Sequence, residues 1–218
     1  MSTASRLMGL TIAVLLAGSA AIAQAGPLPL DPNAIGGVYQ GSQVFQNKGG
    51  PSTLTVNVEF AVYAPGQFNL SFPGSDPSLG SQYVYAYEAF NLNVTPFPRT
   101  LAIFTVGLKD GAQAANVGAQ PILTDPLALP PASSSFGGTP PNAARWDFTG
   151  QVIPVGRNSQ ILLYTSPHPP TFVTSSVIGG GLADSKNLPS PIPEPASWVL
   201  LGIGSVALAY RRIRARLG

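Results

Sequence analysis

Three tyrosines, one histidine and a scatter of carboxylates are the side chains in the middle of the chain that could do chemistry. Tyr83, Tyr85 and Tyr87 stand at i, i+2 and i+4, which puts them on one face of a β-strand. Exposed, the row would be a platform on which sugar rings stack, with hydroxyls at its rim to bond sugar hydroxyls. Turned inward, the same rings are core, and Val84, Ala86, Glu88 and Phe90 face outward. Alternation alone allows either. His168 is the only histidine and sits among prolines in Ser166-Pro167-His168-Pro169-Pro170. We expect it extended and solvated, with no partner at triad or zinc spacing. Asp31, Glu59, Asp76, Glu88, Asp110, Asp125, Asp147 and Asp184 are scattered, and none falls in a closely spaced calcium-loop pattern. A glycosidase needs two carboxylates across a cleft, and Glu88 with Asp147 is a pair that could be offered for it. The sequence assigns no catalytic residue, no metal ligands and no cofactor, and the chain reads as non-enzymatic.

The elements that would carry these residues are strands. Thr53 to Tyr63 alternates strictly, with Leu54, Val56, Val58, Phe60 and Val62 on one side and Thr55, Asn57 and Glu59 on the other. The pattern predicts a half-buried antiparallel strand. Gln67 to Phe72 repeats it with Phe68, Leu70 and Phe72, so Ala64-Pro65-Gly66 reads as the turn of a hairpin. Further strands are expected at Val38–Phe45, Gln82–Leu92, Leu101–Leu108, Arg145–Val152, Gln160–Thr165 and Thr171–Ile178. Lys109-Asp110-Gly111 reads as another hairpin turn, Trp146 as core, and Thr124 to Asn142 as a long Pro/Ser/Gly loop. No window keeps a helical period. About eight strands over residues 26–188 predict an antiparallel β-sandwich of immunoglobulin-like size.

Composition narrows the function classes. There are no cysteines, which removes disulfides, thiolate metal sites and cysteine nucleophiles. Charged residues are 9% of the chain, against a usual quarter. The net charge of +2 is carried by the ends, through Arg6, Arg211, Arg212, Arg214 and Arg216. Between them Lys48, Arg99, Lys109, Arg145, Arg157 and Lys186 are outnumbered by the eight acidic residues named above. A nucleic-acid partner needs a basic face, and this middle has none.

The two ends are address labels. Arg6, the apolar stretch from Leu7 to Ala17, and Ala23-Gln24-Ala25 have the charge, apolar and small-residue order of a signal peptide, residues 1–25, cut after Ala25. At the other end residues 189–218 begin with a Pro-rich spacer containing Pro193-Glu194-Pro195. An apolar segment follows, Ala196 to Tyr210, and then Arg211, Arg212, Arg214 and Arg216. As a helix the apolar segment is about 22 Å long, short for a bilayer core of about 30 Å. Trp198 and Tyr210 suit the two interfaces. The arginines would stay cytoplasmic, which leaves residues 26–188 on the far side of the membrane.

Tripeptide, apolar segment and terminal arginines, in that order behind a signal peptide, resemble the PEP-CTERM sorting signal over roughly Pro189 to Gly218. The resemblance implies export through the Sec machinery and handling by an exosortase, an integral-membrane cysteine protease or transpeptidase of Gram-negative bacteria that make exopolysaccharide. It implies a stage as a single-pass inner-membrane protein with a periplasmic ectodomain, then the cell surface or extracellular matrix. Pro193, Glu194 and Pro195 carry over as the recognition motif and the four arginines as the cytoplasmic stop. These are features of a substrate. The ectodomain is then expected to be a structural or exopolysaccharide-associated binding module. The alternatives are an exported polysaccharide hydrolase and a permanently anchored ectodomain.

Overall fold

A computed structural model describes residues 27–92, 97–121, 125, 127–138 and 141–193. The signal peptide and its cleavage residues Ala23 and Ala25, the apolar segment and the four tail arginines lie outside the described residues. Among the described residues no helix is long and apolar enough to cross a membrane.

The strands are β1 (Gln40–Gly49), β2 (Ser52–Tyr63), β3 (Tyr83–Asn91), β4 (Phe97–Pro98), β5 (Ile103–Gly107), β6 (Ala115–Gln120), β7 (Ser133–Gly137), β8 (Ala143–Asp147), β9 (Ile161–Ser166), β10 (Pro170–Gly179) and β11 (Leu182–Pro191). They form two sheets. One has the order β1-β2-β3-β9-β6, with β4 running parallel beside the start of β2. The other has the order β11-β10-β5-β8-β7. All other pairings are antiparallel. From β3 onward the chain stays in one sheet at β3–β4, β7–β8 and β10–β11 and changes sheet at the other connections, so β9 comes to lie between β3 and β6, and β8 between β5 and β7.

The sheets close over one core. Phe45, Leu54, Val56 and Val58 from the first sheet meet Phe104, Val106, Trp146 and Leu188 from the second. At its centre Trp146 stacks on Phe104 at 5.5 Å, and Tyr85 stacks on Tyr164 at 5.0 Å with planes 8° apart. Trp146 Nε1 also crosses between the sheets to donate to the Gly118 carbonyl at 2.7 Å. The single large ring of the middle is therefore core, as the sequence suggested.

Four sequence expectations are corrected. β2 is covered on both sides and not half-buried. Leu54, Val56, Val58, Phe60 and Val62 enter the main core, while Ala61 and Tyr63 join Leu28, Phe68, Val84 and Ala86 in a second cluster. This second cluster sits on the outer face of the first sheet. Gln67–Phe72 is not a strand; Phe68–Ser71 is a single helical turn, α1, closed by the Phe72 N–H on the Phe68 carbonyl at 2.9 Å. A period of two and an i, i+4 pair both put Phe68 and Phe72 together, so only Leu70 separates the readings, and Leu70 is exposed. The hairpin partner of β2 is β1. Lys109-Asp110-Gly111 is a turn, with Gly111 at φ +81°, but it carries the chain from β5 in one sheet to β6 in the other. Finally, Thr124 to Asn142 is not all loop, because β7 lies within it.

β11 runs three residues past Leu188, the expected end of the domain. Leu188, Pro189, Ser190 and Pro191 are all buried. Proline is tolerated there because β11 is an edge strand, with no partner beyond it to need the missing N–H. The Tyr87 hydroxyl donates to the Pro189 carbonyl and shares a 3.3 Å bond with the Tyr164 hydroxyl. Ser190 Oγ donates to the Gly107 carbonyl at 2.6 Å.

Replacing Tyr87 with Phe leaves the buried Pro189 carbonyl without that donor. It should lower the stability of the folded chain by about 1–3 kcal/mol in urea unfolding. Tyr83→Phe, at the partly buried start of the same strand, should shift it by less than about 0.5 kcal/mol.

Candidate functional site

The residues with the clearest assignment from sequence are those of the Pro-Glu-Pro motif, and the fold determines how its first residue is presented. Beyond Pro191 the chain stays attached for one more step, where the Ile192 N–H donates to the Pro169 carbonyl at 3.0 Å. Pro193 then lies over the turn between β5 and β6. A Cβ at Gly111 would sit 3.8 Å from the Pro193 ring. Glu194 and Pro195 lie outside the described residues. The motif thus begins against the body of the domain. The Pro-rich stretch before it, read as a spacer, is a strand clamped from inside by tyrosine and serine hydroxyls.

The tyrosine row is part of that clamp and not a platform. Tyr85 and Tyr87 are fully buried, and Tyr83 is half-buried against the same core. Burial drives the hydroxyls of Tyr85, Tyr87 and Tyr164 well above the usual phenol range. Each therefore stays a neutral donor. The Tyr85 hydroxyl donates to the His168 carbonyl at 2.8 Å, holding the turn between β9 and β10. With Tyr85 and Tyr87 covered, the row offers no continuous face on which sugar rings could stack. His168 is likewise not the solvated turn residue expected from its prolines. It is buried, its backbone N–H bonds Ser166 Oγ at 3.1 Å, and its two ring nitrogens have no hydrogen-bond partner among the described residues.

The carboxylates divide into unrelated groups. Asp31 accepts from the Tyr63 hydroxyl at 2.8 Å and from Ser71 Oγ at 2.7 Å, tying the N-terminal segment and α1 to the outer face of the first sheet. Asp147 is held on the outer face of the second sheet by Arg145 at 2.7 Å and by Thr149. The Thr149 and Arg145 hydrogen bonds lower its carboxyl to about 2. Glu88 lies on the outer face of the first sheet, in phase with Val84 and Ala86 and out of phase with Tyr85 and Tyr87. Asp147 is out of phase with the inward Trp146. Both sheets and the core therefore separate Glu88 from Asp147, and the two cannot flank one glycosidic bond.

Glu88 has closer company that the sequence did not reveal. The β2–β3 register sets it directly opposite Glu59, and both are buried. Asn158 Nδ2 donates to Glu88 Oε1 at 2.7 Å and to Asp125 Oδ2 at 2.9 Å, so one amide bridges two carboxyls. The segment around Leu129 is strapped over this group. Its N–H bonds the Asn158 carbonyl, and its carbonyl receives the Gln160 N–H, both at 2.9 Å. Burial raises the Glu88 carboxyl to about 8, with Glu59 and Asp125 adding to the rise and the Asn158 hydrogen bond opposing it. Glu88 is therefore a neutral acid at neutral pH. Among the described residues no group of three His, Cys, Asp or Glu side chains is placed to hold a metal ion. Only knowledge of which strand pairs with which could have brought Glu59 and Glu88 together.

A sequence-family model for the PEP-CTERM protein-sorting motif matches residues 191–214. The match starts at the last residue of β11 and takes in Pro193, Glu194, Pro195, the apolar segment and Arg211, Arg212 and Arg214. No curated protein and no solved structure matches the chain.

Glu88 makes a pH signature. Unfolded, its carboxyl ionises near 4.5; folded, near 8. Between those values the native state holds a proton that the unfolded state has lost, so this group's contribution falls as pH rises through that window. Glu88→Gln keeps the acceptor for Asn158 and removes the titration. Unfolding free energies from urea titrations at pH 5 and pH 8 should show a loss in the parent chain that is smaller in the variant by at least about 1 kcal/mol. Equal losses would mean that Glu88 ionises normally.

Proposed function

We propose, from the PEP-CTERM sorting motif that this chain carries, that it is an exported, non-catalytic structural module of the cell envelope or extracellular matrix, delivered by an exosortase-type enzyme. The observation that carries the reading is the position of the motif. It follows directly on the last strand of a single β-sandwich, as a sorting tail should follow its cargo. The sandwich itself supports a structural role. Its tyrosines and its one tryptophan are used in the core, and its lone histidine is buried. The carboxylate pair that a glycosidase reading would use is split across the two outer faces.

Residues 1–25 act in this reading as a signal peptide for the Sec machinery, and Ala196 to Tyr210 as a transient inner-membrane anchor held by the arginines. Association with exopolysaccharide fits the setting, and would use strand-face and loop hydroxyls, not the buried tyrosines.

Intact mass of the protein recovered from the native envelope and medium tests the delivery. The expected species lacks everything through Ala25 and is cut near Pro193–Pro195. Replacing Pro193, Glu194 and Pro195 together with alanine should leave the full tail through Gly218 on the recovered protein. A parent chain that also keeps its tail would be a permanently anchored ectodomain instead.

A further inference from the structure

Exposed apolar side chains stand at both ends of the sandwich, Phe97 and Leu127 among them at the far end, but the end from which the sorting tail leaves carries few charges. β11 ends there, and so do β2, β5 and β9, while β1, β3, β6 and β10 begin there. Pro193 lies at this end, beside Gly111. Only Glu194 and Pro195 then separate it from Ala196, the first residue of the apolar segment. Three Cα steps span at most about 11 Å, and the headgroup layer on one side of a bilayer is itself about 5–7 Å deep. With the segment inserted, the domain has no tether on which to stand off.

The side chains at this end suit such a position. Leu79 is 92% exposed and Val38 66% exposed. Leu79 precedes Gly80, which lies against Gly66 in the turn that leaves β2. Val38 is in the short turn leading into β1. Ile35, also exposed, hangs by its N–H from the Val62 carbonyl near the end of β2, at 2.8 Å. Leu79 also stands at φ +54°. A left-handed backbone costs a leucine about 1–2 kcal/mol, and a side chain left in water returns nothing to the fold for it. The formal charges at this end are the exposed neighbours Lys109 and Asp110, which offset each other, and the buried Asp31 and Asp76. The remaining charged side chains of the domain stand along the strands or at the opposite end.

We infer that this end of the sandwich is a bilayer-contacting surface, with Leu79, Val38 and Ile35 seated at headgroup depth on the periplasmic leaflet while the sorting tail is in the membrane. The inference rests on the reading of Ala196 to Tyr210 as an inserted segment. An isolated apolar side chain on a soluble protein needs no explanation, but several at one nearly uncharged end, beside a tether of two residues, form a lipid-interface pattern.

The absence of cysteine makes the test clean, because any single introduced thiol can be labelled alone. The chain is purified from expressing-cell membranes and placed in phosphatidylethanolamine/phosphatidylglycerol nanodiscs. It carries an environment-sensitive fluorophore at Ile203→Cys, Leu79→Cys or Leu127→Cys. Leu127 is exposed at the opposite end. The expected result is deep-label quenching at 203, at least about a twofold loss of emission at 79 with headgroup-level spin-labelled lipid, and none at 127. Quenching at 203 with position 79 behaving like 127 would overturn the inference and leave the anchor reading intact. No quenching at 203 would overturn the anchor reading, and the bilayer-contacting end with it.

Discussion

A phenol buried between two sheets must find an acceptor, since an unpaired polar group there costs more than the ring's burial can spare. Much of the second sheet's arrangement follows from that requirement. Tyr85 and Tyr87 project from the middle of β3 into the core, and water cannot reach their hydroxyls. Tyr85 is answered by the His168 carbonyl in the turn before β10. Tyr87 is answered by the Pro189 carbonyl in β11 and by Tyr164. Both of these carbonyl acceptors lie after β9, in the turn before β10 and in β11. The central strand of the first sheet therefore dictates where the edge of the second must lie. Trp146 makes the reciprocal demand, sending its N–H from β8 to the Gly118 carbonyl on β6. These polar links fix a registry between sheets that hydrophobic packing alone leaves loose.

The same division between centre and edge explains what could be read from the sequence. β2, β3, β5, β9 and β10 are interior to their sheets and rich in Val, Ile, Phe and Tyr. Their positions are legible from alternation to within a residue or two; β8 is interior as well, but it is Ala143–Asp147 and not the expected Arg145–Val152, because the chain turns after Asp147, where Thr149 bonds the carboxyl. β6, β7 and β11 were not legible. Each ends a sheet, and an edge strand can be built from Ser, Asn, Gly, Lys and even Pro, because one side of its backbone has no ladder to complete. Leu182–Pro191 has the composition of a linker and the burial of a strand. α1 failed for a different reason: over six residues a helical turn and a strand make the same two-aromatic pattern.

Which face of a strand points inward was the harder question, and it decided the fate of every site candidate. Period-two alternation identifies two faces but ranks them only when one is polar. β3 has Tyr83, Tyr85 and Tyr87 on one side and Val84, Ala86 and Glu88 on the other. Both are covered, one by the second sheet and one by the segments around Leu28, Phe68 and Leu129. A sheet buried on both faces hides its carboxylates as readily as its rings, which is how Glu59 and Glu88 came to be neighbours away from water. By contrast, the sorting motif was fully legible. Its recognition is a matter of linear order in the chain, and needs no partner from elsewhere in the fold.

The junction between fold and motif sets a condition on the sorting step. Lengthening the exposed tail beyond Ile192 would break one backbone hydrogen bond, at a net cost of about 1 kcal/mol. Going further is a different matter. Freeing Ser190 and Pro189 would take the Pro189 acceptor from the Tyr87 hydroxyl and the Ser190 donor from the Gly107 carbonyl, and would open the core at Leu188. Each of those losses is about 1–3 kcal/mol, and together they are a large part of the stability of an ordinary domain. An enzyme that had to pull several residues of β11 into its own site would have to unfold the edge of its substrate. The less costly course is for the enzyme to act on the motif where it emerges, with the sandwich already folded. The clamp on β11 thus keeps the tail short, and it keeps the end of the fold beside Pro193 close to whatever holds the tail.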